Sequence, residues 1–271
     1  MSEFILERGG VELSGEEAGE GIPVVLLHGL TATRRYVVMG SRALERGGHR
    51  VIAYDARGHG RSGPAATPDD YGYEKLADDL LGLLDERGIE TAVLAGASMG
   101  AHTIVRFALD HGDRVAAVAL ITPAYTPAGD HTDLARWDAL ADGLRAGGVE
   151  GFLAAYGDPG VGDPWRDTVT KVLRQRLSAH EHPEAVADAL RAVPRSRAFD
   201  DWEELHELAL PAIVVASRDE ADPGHPYAVG ERYAREIPGA KLLSEEPGAS
   251  PLAWQGGQLS KAIAALAERA A

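Results

Sequence analysis

The stretch of this sequence best suited to chemistry is a serine between glycines, residues 96–100 (GASMG). An apolar run before it, residues 91–95, predicts a buried strand, and residues 101–109 predict a helix after it. A G-x-S-x-G between a strand and a helix makes a sharp, strained turn that exposes the serine hydroxyl at the end of a sheet. Ser98 is therefore a candidate nucleophile, and the alternative is that it is only a small residue in a tight turn.

Composition limits the kind of protein that this chain can be. With 271 residues, 45% of them hydrophobic and 25% charged, the chain can bury a large core. A formal net charge of −15 argues against a nucleic-acid partner, which needs a basic face. The absence of cysteine excludes disulfides, thiol nucleophiles and cysteine-bound metals. Because the first residues lack a secretory signal and no apolar run approaches the roughly 20 residues of a membrane span, we expect a cytoplasmic protein without a membrane partner.

Strands and helices are predicted to alternate along most of the chain. Such alternation indicates a parallel sheet with helices on both faces. From residue 123 to residue 210 the pattern changes to helices without a convincing strand, which predicts a helical insertion. The predicted strands are 4–7 and 11–13 (a hairpin), 23–27, 50–54, 91–95, 115–121, 212–216 and 241–243, and the predicted helices are 36–46, 73–87, 101–109, 227–236 and one that carries Leu259, Ile263 and Leu266.

Three motifs in this order give the chain a resemblance to a known family. His28-Gly29 follows one strand, residues 55–62 (DARGHGRS) follow the next, and the Ser98 turn comes third. Together they resemble the α/β-hydrolase superfamily. The resemblance implies an α/β fold with a mostly parallel eight-stranded sheet, helices on both faces and a helical cap inserted after the sixth strand. The core would be residues 1–122 and 211–271, and the cap residues 123–210.

The resemblance also implies roles for single residues. Ser98 would be the nucleophile, and the backbone N–H groups of Leu30 and Met99 would form the oxyanion hole. His28 and His59 would hold their loops by hydrogen bonds. His102, in the first turn of the helix after Ser98, would pack or hydrogen-bond beside the site. The family needs no cofactor, and no metal site is expected.

The acid that orients the base has two candidates, Asp219 and Asp222, in the loop after the strand at 212–216. Counting from the end of the strand favours Asp219. Counting back from the next helix, together with the Asp-Pro sequence, favours Asp222. At this stage both remain possible.

The base is the point at which the family pattern fails. The family's histidine follows the last strand, but Ser250 stands where it is expected, and no histidine follows His225. Three hypotheses remain. His225 could serve as the base; hydrolysis could be lost, leaving a pocket that binds a small hydrophobic ligand or catalyses a non-hydrolytic reaction; or a histidine of the insertion could enter the site. The insertion histidines are His131, His180, His182 and His206.

The segment His180-Glu181-His182 is the nearest approach to a metal-ligand cluster. Adjacent residues of a helix point to different faces, so we interpret this segment as solvated.

Residues that could contact a substrate are His28, Ser250 and Trp254. An alternative for Trp254 is that it anchors the last helix on the sheet. The predicted function is hydrolysis of a small-to-medium carboxylic ester, thioester or lactone through an acyl-enzyme on Ser98. Ser98 argues against haloalkane and epoxide hydrolysis, since those reactions in this family use a carboxylate nucleophile. The sequence indicates a small-molecule substrate and gives no oligomeric state.

Overall fold

A computed structural model describes residues 1–127, 134–218, 222–246 and 254–270. Within them lies an eight-stranded sheet with the strand order β1-β2-β4-β3-β5-β6-β7-β8. β1 pairs with β2 and β2 with β4 in antiparallel fashion, and all other pairs are parallel. This confirms the predicted mostly parallel sheet. The strands are β1 Ser2–Arg8, β2 Val11–Ala18, β3 Ile22–Leu27, β4 His49–Tyr54, β5 Ala92–Ala97, β6 Val115–Ile121, β7 Ala212–Val215 and β8 Lys241–Leu243.

Helices cover both faces of this sheet. One apolar core includes Leu80, Phe107 and Tyr233, and the opposite core includes Leu44 and Leu259. Burial on both faces explains why the central strands are continuous apolar runs. The helices are α1 Ala43–Arg46, α2 Tyr73–Glu86, α3 Met99–Asp110, α4 Leu134–Tyr156, α5 Asp163–Leu177, α6 Pro183–Ala192, α7 Tyr227–Glu236 and α8 Gly256–Ala270, with 3₁₀ turns at Arg34–Tyr36, Gly112–Arg114, Val193–Arg195 and Trp202–Glu207.

The helix predicted over residues 36–46 is wrong for most of its length. The chain forms only a 3₁₀ turn that ends at Tyr36 and the single helical turn of α1. Between them Met39 and Gly40 have φ values of 48° and 71°, which interrupt a right-handed helix. Val37 and Val38 are buried in this loop without forming a helix.

The described residues between β6 and β7 contain α4, α5 and α6 but no strand. These three helices enclose an apolar cluster of their own, separate from the two sheet cores. Leu30, which follows β3, packs against it and so joins the helices to the carboxyl edge of the sheet. The cluster consists of Leu140, Ala141, Leu144, Phe152, Leu177, Val186, Ala187 and Leu190.

Among the helices of the described part of the chain, none has the length and apolar character needed to cross a bilayer.

Candidate active site

Ser98 occupies the turn between β5 and α3 with φ 49° and ψ −114°. A non-glycine residue in such a region costs about 1–3 kcal/mol and persists only where the surroundings enforce it. Two contacts hold the turn in this conformation. The Ser98 N–H donates to the Ile121 carbonyl at 2.9 Å, and α3 packs so closely on β3 that a Cβ on Gly100 would lie 2.2 Å from the Leu27 carbonyl oxygen. Ser98 is partly exposed, and its hydroxyl has no hydrogen-bond partner in the described part of the chain.

Two backbone N–H groups near Ser98 have no partner within the described ranges. A Cβ on Gly29 would lie 3.3 Å from the Ser98 Cβ, which places the loop after β3 against the serine. The N–H of Leu30, the next residue, and that of Met99, the first residue of α3, have no acceptor among the residues that the structure describes. Unpaired N–H donors near a candidate nucleophile are suited to the stabilisation of an oxyanion.

The loop that carries Leu30 is held from the α5–α6 segment. His180 donates through Nε2 to the Thr31 carbonyl at 3.0 Å and accepts at Nδ1 from the Gly60 N–H at 2.8 Å. Arg176 donates through Nη2 to the Leu30 carbonyl at 3.0 Å and to the Thr31 hydroxyl at 3.2 Å. Thr31 itself has a φ of 64°, so these contacts fix a strained loop.

His28 joins two loops and does not face a substrate. It donates through Nδ1 to the Gly29 carbonyl at 2.8 Å and accepts at Nε2 from the Ala56 N–H at 2.9 Å. The residue is 2% exposed, and burial lowers the pKa of its ring. Its suggested role in substrate binding is therefore wrong, because neither ring nitrogen is available.

The DARGHGRS motif builds a rigid loop. Asp55 accepts from the Arg34 guanidinium at 2.6 Å, and a Cβ on Gly60 would lie 2.2 Å from its carboxylate, so only glycine fits there. Arg57 forms two 2.7 Å bonds to Asp79 of α2, a fully buried pair. These contacts give the motif a structural role, which does not require its residues to take a direct part in chemistry.

His59 and His102 are neutral and buried. His59 donates through Nδ1 to the Arg57 carbonyl at 3.0 Å, and its pKa is well below the ordinary value because of burial and the neighbouring histidines. His102 accepts at Nε2 from the backbone N–H groups of Ala124 and Tyr125 at 2.9 and 3.0 Å. Burial, reinforced by His225, lowers the pKa of His102 to about 3.

Since Nε2 of His102 is an acceptor, Nδ1 carries the proton and donates to the Tyr73 hydroxyl at 2.9 Å. With both nitrogens engaged, His102 cannot serve as a base. It ties the loop after β6 to α3, the helix that follows Ser98.

A histidine–carboxylate pair lies in the loop between β7 and α7. His225 Nδ1 is 2.7 and 2.8 Å from the two carboxylate oxygens of Asp222, and both residues are half-buried. The His225 ring has no other hydrogen-bond partner among the described residues. Burial raises the pKa of Asp222, but the hydrogen bond from His225 and the charges of His225 and Arg176 outweigh it, so the pKa is lower than usual. The rival acid, Asp219, lies outside the described residues.

After β8, Glu245 takes part in a small polar cluster. It accepts from the Ser217 hydroxyl at 2.8 Å and from the Trp254 indole N–H at 3.0 Å. Trp254 also packs against the apolar core on the α8 face of the sheet, which agrees with the anchoring alternative. Ser250 lies outside the described residues.

Two histidines of the insertion, His180 and His206, are hydrogen-bonded to other residues. His180 uses both ring nitrogens, and it is half-buried, so the interpretation of its segment as solvated is wrong for this residue. His206 pairs with Glu236 at 3.1 Å. His131 lies outside the described residues. His182 precedes α6, and its side chain has no hydrogen-bond partner among the described residues.

A half-open cavity of about 410 Å³ lies elsewhere on the molecule. Arg34 and Asp55 are among its lining residues, whereas Ser98, Asp222 and His225 are not. It is therefore distinct from the candidate active site.

Sequence reasoning missed Arg176, Asp79 and the bridging role of His180. Each acts through a partner far away in sequence; Arg176 and Leu30, for instance, are separated by 146 positions. The sequence carries little signal for these contacts, because neither His180 nor a single arginine such as Arg176 stands out from similar residues.

Comparison with known proteins agrees with this fold. The family model described as alpha/beta hydrolase fold matches residues 22–199, so the chain belongs to the α/β-hydrolase family. The non-heme chloroperoxidase CPO-A1 of Kitasatospora aureofaciens is 28% identical over 269 residues, covering 94% of each chain.

Solved structures give the same result. A thermophilic esterase from Thermogutta terrifontis, described with malate bound, has a TM-score of 0.80 and 28% identity over 100% of this chain and 99% of the esterase. The enol-lactonase from Burkholderia xenovorans LB400 has a TM-score of 0.72 and 27% identity over 89% of this chain and 91% of the lactonase. The chain is thus similar to enzymes that act on ester and lactone bonds.

Proposed function

We propose that this protein is a serine hydrolase of small-to-medium carboxylic esters, thioesters or lactones. Ser98 is the nucleophile, His225 the general base and Asp222 the acid that orients it, while the Leu30 and Met99 N–H groups form the oxyanion hole. The esterase and enol-lactonase among its similar structures support this class of substrate.

The observation that carries the proposal is the bond between Asp222 and His225 Nδ1. In a serine hydrolase the carboxylate holds the Nδ1–H of the histidine and leaves Nε2 to take the serine proton. His225 also lowers the pKa of His102. The backbone N–H of His102 donates to the Ser98 carbonyl at 3.0 Å, so His225 acts electrostatically on a residue beside the serine turn. A relocated base therefore replaces the histidine that the loop after β8 lacks.

The reaction follows from these groups. His225 Nε2 accepts the Ser98 hydroxyl proton as the serine oxygen attacks the substrate carbonyl carbon, and the Leu30 and Met99 N–H groups bind the oxyanion. The intermediate expels the alcohol, thiol or ring oxygen, which takes the proton from His225. Water, deprotonated by His225, then attacks the acyl-enzyme and regenerates Ser98.

We also propose that α4, α5 and α6, with the rest of residues 123–210, form a cap over the site. Contacts of Arg176 and His180 with the Leu30 loop support this arrangement. A cap that excludes water would strengthen the electrostatic stabilisation of the oxyanion.

The proposal is tested by steady-state hydrolysis of 4-nitrophenyl butyrate. We expect Ser98→Ala and His225→Gln each to lower kcat/KM by at least about 10³-fold, since triad members act as a unit. Asp222→Asn should lower it by about 10²-fold or more, because the base loses its orienting charge.

The matched control is His182→Gln, which changes another histidine outside the proposed machinery. Its kcat/KM should equal that of the wild type. Equal activity of His225→Gln and His182→Gln would contradict the assignment of His225 as base.

A further inference from the structure

Arg176 of α5 is a partly buried cation with no carboxylate partner in the described part of the chain. No carboxylate of the described residues lies within 4.0 Å of its guanidinium, and its Nε is buried with no hydrogen-bond partner. Three other arginines are paired with carboxylates: Arg34 with Asp55 at 2.6 Å, Arg57 with Asp79 at 2.7 Å and Arg174 with Glu150 at 2.7 Å.

Such a group is costly to the fold. A desolvated charge is normally paired, and an unsatisfied donor on it carries the full penalty of its lost hydration. Burial lowers the pKa of Arg176, because loss of hydration disfavours the charged guanidinium. Its hydrogen bonds to the Leu30 carbonyl and the Thr31 hydroxyl use Nη2 alone. A carboxylate would supply both the missing charge and an acceptor.

The position of Arg176 relates this charge to the active site. Its guanidinium contacts Leu30, whose own N–H is a proposed oxyanion donor, and the preceding Gly29 lies against the Ser98 Cβ. The ring of Tyr36 lies 5.8 Å from the guanidinium carbon. Asp222 also acts on Arg176 electrostatically, so the cation belongs to the same cluster of charges as the proposed base.

We propose that Arg176 binds a free carboxylate on the acyl part of the substrate. The substrates would then be esters, thioesters or lactones of dicarboxylic acids, with the reacting carbonyl in the oxyanion hole and the second carboxylate at Arg176. This inference rests on the proposed hydrolase function and narrows its substrate class.

The test compares two activated esters of matched shape, the 4-nitrophenyl monoester of glutaric acid and 4-nitrophenyl 5-methylhexanoate. They differ by a carboxylate in place of an isopropyl group. We expect the wild type to favour the anionic ester in kcat/KM by at least about tenfold, as a hydrogen bond to a charged group allows. Arg176→Gln should remove this preference mainly through KM, and Arg176→Lys should keep part of it.

Arg174→Gln is the control, because it removes an exposed arginine from the same helix. Its preference should match that of the wild type. If Arg176→Gln slows both esters equally, Arg176 is only an anchor of the Leu30 loop and the inference is wrong. A wild type that prefers the neutral ester would also overturn it.

Binding of glutarate to Ser98→Ala, measured by calorimetry, separates this inference from the proposed function. If neither ester is hydrolysed, the proposed function fails, yet glutarate binding that is lost in Ser98→Ala/Arg176→Gln would still support the carboxylate site. Absence of glutarate binding to Ser98→Ala would overturn it.

Discussion

Ser98 is partly exposed, and its backbone has a positive φ that most residues other than glycine avoid. Its positive φ is imposed by the close packing of β3, β5 and α3, for which Gly100 provides the space. The strain is stored where a hydroxyl has to project from the end of a sheet. The strained turn therefore lowers the stability of the fold at the residue whose side chain it exposes.

Replacement of Ser98 by glycine should therefore stabilise the protein relative to replacement by alanine. Glycine adopts positive φ without the Cβ clash, whereas alanine keeps the strain. We expect the free energy of unfolding in urea to be about 1 kcal/mol higher for Ser98→Gly than for Ser98→Ala. Equal stability of the two variants would mean that the turn carries no strain.

At this scale the sequence predicts what depends on local backbone. The glycine spacing around Ser98 identifies the turn, and with it the position of Met99. The proposed role of Arg176 depends on contacts with Leu30 and on the absence of a carboxylate within 4.0 Å among the described residues. Neither is encoded in local spacing.

Among the elements, the segment that links α5 to α6 has the clearest structural effect on the site. It places His180 between Gly60 and Thr31, so that one ring satisfies a donor and an acceptor from two loops. The loop that bears the proposed oxyanion donor is held by this contact.

His180→Leu should therefore destabilise the fold. It leaves the Gly60 N–H and the Thr31 carbonyl without their partner, at a cost of about 1–3 kcal/mol. Urea unfolding would measure it, with His182→Leu as the control, expected to change stability by less than about 0.5 kcal/mol. A loss of similar size in both variants would contradict the bridging role.

Prediction from sequence succeeds for the strands and is weaker for the connections. Strands such as β6, buried on both faces, are continuous apolar runs with clear limits. The segment at 36–46 also contains apolar residues, but tertiary packing buries Val37 and Val38 in a loop, and only Ala43–Arg46 are α-helical.

For the whole molecule, the buried neutral histidines couple stability to pH. His28, His59, His102 and His180 all have pKa values below the ordinary one, chiefly through burial; that of His102 is about 3 and that of His180 about 4. Below about pH 6.5 the unfolded chain binds protons that the folded chain does not. Stability therefore falls as the pH falls, and the lowered pKa of Asp222 acts in the same direction.

We expect His102 to cost about 2 kcal/mol of unfolding free energy between pH 7 and pH 5, because its pKa of about 3 lies well below that range. His102→Gln keeps an acceptor for the backbone N–H groups but cannot titrate. Its stability should depend less steeply on pH by about 1.4 kcal/mol per pH unit below pH 6. Urea unfolding at several pH values measures this slope, and an unchanged slope would show that His102 titrates normally in the fold.

The central claim is that Ser98 is activated by His225, and intact mass after exposure to a fluorophosphonate tests it most directly. We expect stoichiometric labelling of the wild type and of His182→Gln, no label on Ser98→Ala, and severely slowed labelling of His225→Gln. A folded wild type that takes no label, or a His225→Gln variant labelled at the wild-type rate, would contradict the account.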